Sequence, residues 1–260
     1  MVLLTGAGLL LRSFALLQRV DPGVRREQLL TFSVRLSRPD RTFFPRAIDR
    51  VRALPGVRSA ALVSQLPVTG RGIGAWFNRL DRPFPPGTNP TGEAYRVITP
   101  AYFETVGISL KKGRALEMTD TRDAPVVVVN EALVRKYYQG EEPLGKPIYL
   151  GAPDNRLFEQ ASIVGVVSDT RDGGLGNAPL PTVYIPAAVM PTWNAFSFVV
   201  RTQPSPGAIA PSVRAAIHEV DATLAIRDIR TMDEVLSTAV APACCSCVAA
   251  SPSASRGRCC

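Results

Sequence analysis

The chain has 260 residues, of which 46% are hydrophobic and 20% are charged. These proportions are typical of a folded globular protein and argue against disorder. The formal charge of +8 and the pI of about 9.6 would suit nucleic acid or an anionic membrane surface. However, the basic residues are spread among acidic ones from Arg12 to Arg258. Because no Lys/Arg run with interspersed aromatic residues occurs, we expect no nucleic acid partner and favour juxtamembrane charge.

An apolar segment opens the chain and reads MVLLTGAGLLLRSFALLQRV. Its periodicity predicts one amphipathic helix from about Leu3 to Val20, ending before a Pro-Gly pair. Because a spanning helix needs about 20 apolar residues, we interpret residues 1–20 as a partial transmembrane or juxtamembrane helix. An ordinary buried helix is the alternative. The arginines after it would favour a cytoplasmic side by the positive-inside rule, which has little weight for a long domain.

The next segments alternate between strand and helix patterns. Leu29–Arg35 alternates apolar and polar residues as a half-buried strand does, whereas Phe43–Leu54 has helical spacing and stops at a Pro-Gly pair. Ser59–Leu66 and Ile73–Leu80 then favour two strands around a Gly-rich turn.

The sequence AYRVITPAYFETVGI predicts a strand that leads into a two-turn helix. Thr99 suits the N-cap of this helix, Pro100 its first position and Gly107 its C′ position. Val126–Val129 is a fully apolar strand, and Asn130 is predicted to cap the helix EALVRKYY.

The rest of the chain repeats these patterns. Further strands are predicted at Ile148–Leu150, Ser162–Val167, Thr182–Ile185, Phe196–Arg201 and Leu224–Ile229, a helix between the last two, and a short helix from Met232. Strand–helix–strand units therefore stand at both ends of an α+β protein, around a differently patterned middle.

Two motifs resemble catalytic loops. Gly140–Pro147 matches the start of a phosphate-binding loop, but a helix precedes it and a proline stands where the magnesium-binding hydroxyl should be. Ser109–Lys112 fits the S-x-x-K pattern without its companion motifs. We interpret the first as a turn and the second as a loop or strand end.

Single residues give no stronger chemical signal. His218, the only histidine, is predicted to be a partly exposed structural residue in a helix. Asp169 and Asp172 lie in an acidic Gly-rich turn that has too few oxygen ligands for calcium, so we interpret it as a surface turn. We therefore assign no catalytic, cofactor-binding or metal-binding residues, and expect no cofactor.

All five cysteines lie in the last 17 residues, at positions 244, 245, 247, 259 and 260. Their spacing lacks the C-x-x-C pairs of a zinc site. From Ala241 the chain has no acidic, aromatic, Leu or Ile residue, so residues 241–260 are predicted to be an unstructured Cys-rich tail, of out-of-frame or truncated origin.

Several motifs in order resemble one family over about residues 5 to 240: GAGLLLRSFALLQRVDPGV, YRVITPAYFETVGISLKKGRAL, APVVVVNEALVRKYYQGEEPLGKPIYL and IVGVVSDTRDGGL. They are similar to the MacB-like periplasmic core domain of ABC transporter permeases of the MacB/FtsX type, closest to the ADOP group. The resemblance implies a discontinuous porter-like lobe interrupted by an inserted, Sabre-like lobe. We place the porter-like lobe at residues 21–96 and 191–240 and the inserted lobe at 97–190.

The resemblance also implies a non-enzymatic function at the inner membrane. The domain would lie on the periplasmic side and transmit motion from a separate cytoplasmic ABC ATPase, for efflux of an unknown substrate. A periplasmic adaptor and a second copy of the chain are further partners compatible with it. The alternatives are a stand-alone extracytoplasmic binding or sensor module and, less favoured, a periplasmic hydrolase. We expect motion to be absorbed in the cleft between the lobes, near 92–98 and 188–194.

Overall fold

The computed structural model describes residues 20–70, 72–83, 85, 92–152, 155–190, 193–203 and 205–246. The predicted helix from about Leu3 to Val20 lies outside the described residues except for Val20, and so does the tail beyond Ser246. Among the residues that are described, no helix is both long enough and apolar enough to cross a bilayer.

Within these ranges the chain forms strands and helices in mixed order. The strands are β1 (Leu29–Arg35), β2 (Val57–Val63), β3 (Gly74–Arg79), β4 (Gly92–Ile98), β5 (Leu110–Gly113), β6 (Val126–Asn130), β7 (Pro147–Ala152), β8 (Asn155–Val167), β9 (Thr182–Pro186), β10 (Ala195–Thr202) and β11 (Ile226–Thr231). The helices are α1 (Phe43–Arg52), α2 (Tyr102–Val106), α3 (Glu131–Tyr137), α4 (Pro206–Val220) and α5 (Met232–Ser246). A 3₁₀ turn, Ala187–Val189, follows β9.

The first lobe is an antiparallel sheet in the order β11–β1–β10–β2. Two strand–helix–strand units build it, and their helices α1 and α4 cover one face of the sheet. Phe44 and Ile48 of α1 and Val213 of α4 are buried in the same cluster as Phe32 and Phe198 of the central strands. This is the split βαβ arrangement, interrupted between β2 and β10.

The interruption contains the second lobe, a closed barrel. Its strands follow the order β4–β3–β7–β8–β6–β9, and parallel pairing of β9 with β4 closes the circle. β5 pairs with the far end of β8. A closed sheet leaves no exposed edge for unwanted pairing.

The α+β class and the two-lobed organisation follow the prediction, but the predicted lobe boundary at 96/97 is wrong. β3 and β4 pair within the barrel, so the inserted lobe begins after Val63 and not at residue 97. Alternation along a strand identifies its buried face but not its partner strand, which explains the error.

The tail prediction is also wrong in part, because α5 continues through residues 241–246 and ends at Ser246. Most of the S-x-x-K segment, which was interpreted as a loop or strand end, lies in the short strand β5. The remaining predicted elements agree with the structure to within a few residues at their ends, except β8, whose start was predicted seven residues too late.

A second apolar cluster lies on the other face of the first lobe's sheet. It combines Ala61 and Val199 of that sheet with Phe103 of α2, Tyr184 of the barrel and Met232 of α5. The two lobes therefore share a continuous core on this face.

Candidate functional site at the junction of the two lobes

The sheets of the two lobes meet at one residue pair, Val63 of β2 and Ile98 of β4. Main-chain hydrogen bonds of 2.8 and 3.1 Å flank this pair. The hydroxyls of Ser64 and Thr99 accept two further main-chain N–H groups across the boundary, at 3.0 and 2.9 Å. Thr99 thus bonds to β2 and does not cap α2 as predicted; the N-cap is Ala101, without a side-chain bond.

A buried ion pair fastens the first connection between the lobes, residues 64–73. The guanidinium of Arg96 lies 3.5 Å from the carboxylate of Asp172, and both side chains are almost fully buried. Arg96 also donates to the carbonyl of Gly70 at 3.2 Å. The Gly70 N–H donates in turn to the carbonyl of Asp172 at 3.2 Å. The interpretation of Asp172 as part of a surface turn was therefore wrong.

Burial governs the protonation of this cluster. It raises the pKa of Asp172, and the attraction of Arg96 lowers it only in part. Burial also raises the pKa of Tyr102 and of Tyr184 above the usual range of a phenol. The ion pair is thus surrounded by phenols that stay neutral.

Asp169, from the same acidic turn, has a different role. Its carboxylate accepts the N–H of Ala132 at 2.8 Å and pairs with Arg135 at 2.6 Å. It therefore binds the first turn of α3, where a negative charge is favourable. Among the described residues no group of three or more His, Cys, Asp or Glu is placed to hold a metal ion.

The residues before β1, numbers 20–28, form what we call the entry segment. The carbonyl of Pro22 accepts from Arg171 of the barrel at 3.1 Å, the N–H of Arg25 donates to α2 at 2.8 Å, and the carbonyl of Gln28 accepts from β10 at 2.9 Å. This short segment is therefore hydrogen-bonded to both lobes.

Arg201 of β10 fixes the entry segment to the first lobe. Its buried guanidinium donates to the carbonyls of Thr105, Glu27 and Arg25, with distances of 2.8 Å to Thr105 and 2.8 Å to Arg25. Burial lowers the pKa of Arg201. One side chain thus joins β10, α2 and the entry segment.

The last described helix begins next to the entry segment. Thr231 and Glu234 form a capping box at the start of α5, with reciprocal bonds of 3.2 and 2.7 Å. Asp233 lies 3.5 Å from Arg26 of the entry segment. The chain therefore enters and leaves the two-lobed unit side by side.

The motifs weighed from the sequence lie away from this junction. Gly140–Pro147 is a turn between α3 and β7, in which Glu141 pairs with Arg79 at 2.6 Å. Lys112 of the S-x-x-K segment pairs with Glu142 at 2.8 Å, and His218 lies within α4.

Of the two predicted connections, 188–194 leads from the barrel back to β10, whereas 92–98 is the barrel strand β4. Sequence reasoning missed Arg96 and Arg201. The signal was present, because each arginine lies in a mainly apolar strand.

A family model described as the MacB-like periplasmic core domain matches residues 12–220. A stretch of 79 residues is 37% identical to the macrolide export ATP-binding/permease protein MacB of Aggregatibacter actinomycetemcomitans. That stretch is 30% of this chain and 11% of the relative, so the chain corresponds to a small part of the curated protein.

Two solved structures have a similar fold. The periplasmic region of MacB from Actinobacillus actinomycetemcomitans superposes with a TM-score of 0.56 at 17% identity, over 83% of this chain and 94% of that one. The extracellular domain of the noncanonic ABC-type transporter YknZ from Gram-positive bacteria gives 0.50 at 13% identity, over 76% and 100%. At such identities the likeness concerns the fold alone.

We predict that Arg201→Met loosens the entry segment. Three carbonyls would lose a charged donor, so the free energy of unfolding should fall by about 2–4 kcal/mol. Amide hydrogen exchange should accelerate at Arg25 and Thr202, whose N–H groups bond between the entry segment and its neighbours. The control is Arg58→Met on the exposed side of β2. Equal exchange in the two variants would contradict the role of Arg201.

We predict a pH dependence of stability that is specific to Asp172. Because its pKa is raised, the folded state keeps this proton to a higher pH than the unfolded state, whose carboxyl titrates at about 3.9. The unfolding free energy of the native protein minus that of Asp172→Asn should therefore fall as pH rises from about 3.9 to the raised pKa of the folded state. Urea titrations from about pH 3 to about pH 8 measure it.

Asp120 supplies a control of opposite sign. The bidentate pair with Arg114 lowers the pKa of Asp120. The unfolding free energy of the native protein minus that of Asp120→Asn should therefore rise with pH. If the difference for Asp172→Asn also rises with pH, Asp172 does not titrate in a buried environment.

Proposed function

Since the chain belongs to the family of MacB-like periplasmic core domains, we propose that it is the extracytoplasmic domain of an ABC-type permease that transmits motion across the membrane. A separate cytoplasmic ATPase supplies the energy, and the domain acts on an exported substrate without catalysing a reaction itself. A periplasmic adaptor and a second copy of the chain are the partners that this role would engage.

The arrangement of the entry segment and α5 carries this proposal. Val24 of the entry segment and Met232 of α5 are buried in one apolar cluster, and the Arg26–Asp233 pair joins the two segments. A domain inserted between two membrane helices needs its ends side by side. A displacement of either end would therefore reach the same small region of the domain.

The entry segment is hydrogen-bonded to both lobes, so its displacement would act on each of them. The carbonyl of Pro22 and the N–H of Arg25 bond to the barrel loop and to α2. The carbonyls of Arg25, Glu27 and Gln28 accept hydrogen bonds from β10 of the first lobe. The helix α2 is hydrogen-bonded to the first lobe, and the two sheets share a single strand pair. A rotation that carries α2 with the first lobe would therefore disrupt few main-chain hydrogen bonds. Hinge movements in other proteins also concentrate in short connections such as the two that join these lobes.

The named activity of the curated relative indicates export as the transport direction. MacB is called a macrolide export ATP-binding/permease protein, but the match spans 11% of it. We therefore extend to this chain the direction of transport and the dependence on ATP, and leave the substrate class to be determined.

We predict that the domain faces the extracytoplasmic side of the inner membrane. With the five tail cysteines changed to serine, Met118→Cys introduces one thiol at a side chain that is 79% exposed. In whole cells with a permeabilised outer membrane, a membrane-impermeant maleimide should label it before lysis.

The buried position of Phe198→Cys provides the control, which should react only after denaturation. Labelling of Met118→Cys that requires lysis of the inner membrane would place the domain in the cytoplasm and contradict the proposal.

We predict that a disulfide across the junction stops motion between the lobes. Val63 and Ile98 face each other as a non-hydrogen-bonded antiparallel pair. Such pairs have Cα atoms about 4.5 Å apart, within the range for a disulfide. In membranes that contain the permease and its ATPase, ATP should change the distance between spin labels on α1 and on the barrel. Oxidation of the double cysteine variant should abolish that change, and reduction should restore it.

The matched control is Val63→Ser with Ile98→Ser, which should respond to ATP under both conditions. A reduced protein that shows no ATP-dependent distance change would contradict force transmission. A change that persists after oxidation would show that the lobes do not pivot at this pair.

A further inference from the structure

A groove with a volume of about 260 Å³ lies between α1 and the second lobe. Both lobes contribute to its walls, which are mainly apolar: Phe44, Ile48, Met118, Met190, Trp193 and Phe196. It lies on the α1 face of the first lobe, opposite the face that carries α2 and the entry segment. The groove borders the junction at Leu62 and Thr99, which share a hydrogen bond across the boundary.

The side chains in the groove favour an aromatic occupant. Phe44 and Phe196 meet edge to face with centroids 4.8 Å apart, and the indole N–H of Trp193 donates to Ala195 at 2.6 Å. The two phenylalanine rings are buried, with 5% of each exposed, whereas Trp193 is half-buried. The indole is therefore the ring that an aromatic ligand can contact. Met118, 79% exposed, adds a flexible thioether at the mouth, which can make favourable sulfur–aromatic contacts.

The charges at the rim favour an uncharged occupant. Asp40 accepts hydrogen bonds from the N–H and hydroxyl of Thr42 at 2.7 and 2.8 Å. Arg52 donates twice to the carbonyl of Ala60, at 3.1 and 3.0 Å. The lining also includes Arg41, Asp49 and Glu117, so acidic and basic side chains are mixed and neither sign of charge dominates. Beside apolar walls, an ionic ligand would lose hydration without meeting a patch of the opposite charge.

The volume is too small to enclose a helical partner. One turn of an α-helix about 10 Å across occupies roughly 400 Å³, more than the groove provides. A cavity of about 150 Å³ can hold a benzene molecule, so the space here suits one or two rings.

We propose that this groove binds an uncharged apolar molecule of one or two aromatic rings. Its walls come from two lobes, so rotation between the lobes changes its width, and a bound molecule favours one angle between them. That linkage rests on the proposed function. Binding itself does not depend on that function. The test uses the full chain without membranes, ATPase or nucleotide, so that the binding proposal and the proposed function can fail separately.

The two tryptophans of the chain provide the measurement. Trp76→Phe leaves Trp193, a wall of the groove, as the single tryptophan. 1-Nitronaphthalene, an uncharged two-ring quencher, should reduce its fluorescence in a saturable manner. The carboxylate and the aminomethyl derivatives of the same compound should bind about tenfold more weakly or worse, because each carries a charge.

Variants assign the binding to the groove. In the Trp76→Phe background, Ala188→Phe places a ring at the mouth without removing a core residue and should weaken binding about tenfold or more. Ala222→Phe makes the same change on an exposed turn outside the groove and should leave binding unchanged. Met118→Ala, at an exposed position, should weaken binding by a few-fold.

Three results would overturn the proposal. Quenching that is linear with concentration, and equal in the Ala188→Phe variant, would show collision without a site. Equal affinity for the charged derivatives would show that the site is not apolar. Self-association of the chain that Ala188→Phe abolishes would show that a second copy, and not a small molecule, occupies the groove.

Discussion

A polar group that becomes buried must find a partner, and at the boundary between the lobes each partner comes from a different segment of the chain. Arg96 of the barrel meets Asp172 and the connection at Gly70. Arg201 of the first lobe meets the entry segment and α2. Ser64 and Thr99 complete the strand pair. These bonds can form together only in one arrangement of the lobes, because each has a narrow range of distance and angle. The junction thus determines the geometry on which the remaining contacts depend.

The sequence predicted the elements of the fold far better than their partners. Asn130 caps α3 as expected, accepting from Leu133 at 3.1 Å, because capping is a local interaction between residues three apart. Gly107 likewise takes the left-handed conformation that ends α2, with φ of 79°. By contrast, Thr99 was predicted to cap α2 but bonds to β2. The strands β3 and β4 were assigned to the wrong lobe. Both errors concern contacts distant in sequence, on which local patterns carry no information.

The junction residues could be predicted only in part for the same reason. An arginine in a mainly apolar strand indicates a buried charge, but not whether its partner is a carboxylate or a set of carbonyls. Arg96 has the first kind of partner and Arg201 the second. The acidic turn at 169–172 was visible in the sequence, yet its two carboxylates face in different directions, one to α3 and one into the core. Only the folded barrel brings the second beside Arg96.

The two faces of the first lobe differ in the kind of contact that they make with the barrel. On the α2 face the contacts include directional hydrogen bonds, which fix the register of the segments that they join. On the α1 face the groove is lined mainly by apolar side chains, whose attraction does not depend on direction. A rotation between the lobes would therefore keep the α2 face as its pivot and open or close the α1 face. Because the entry segment is bonded at the pivot side, a small displacement there would produce a larger change in the width of the groove.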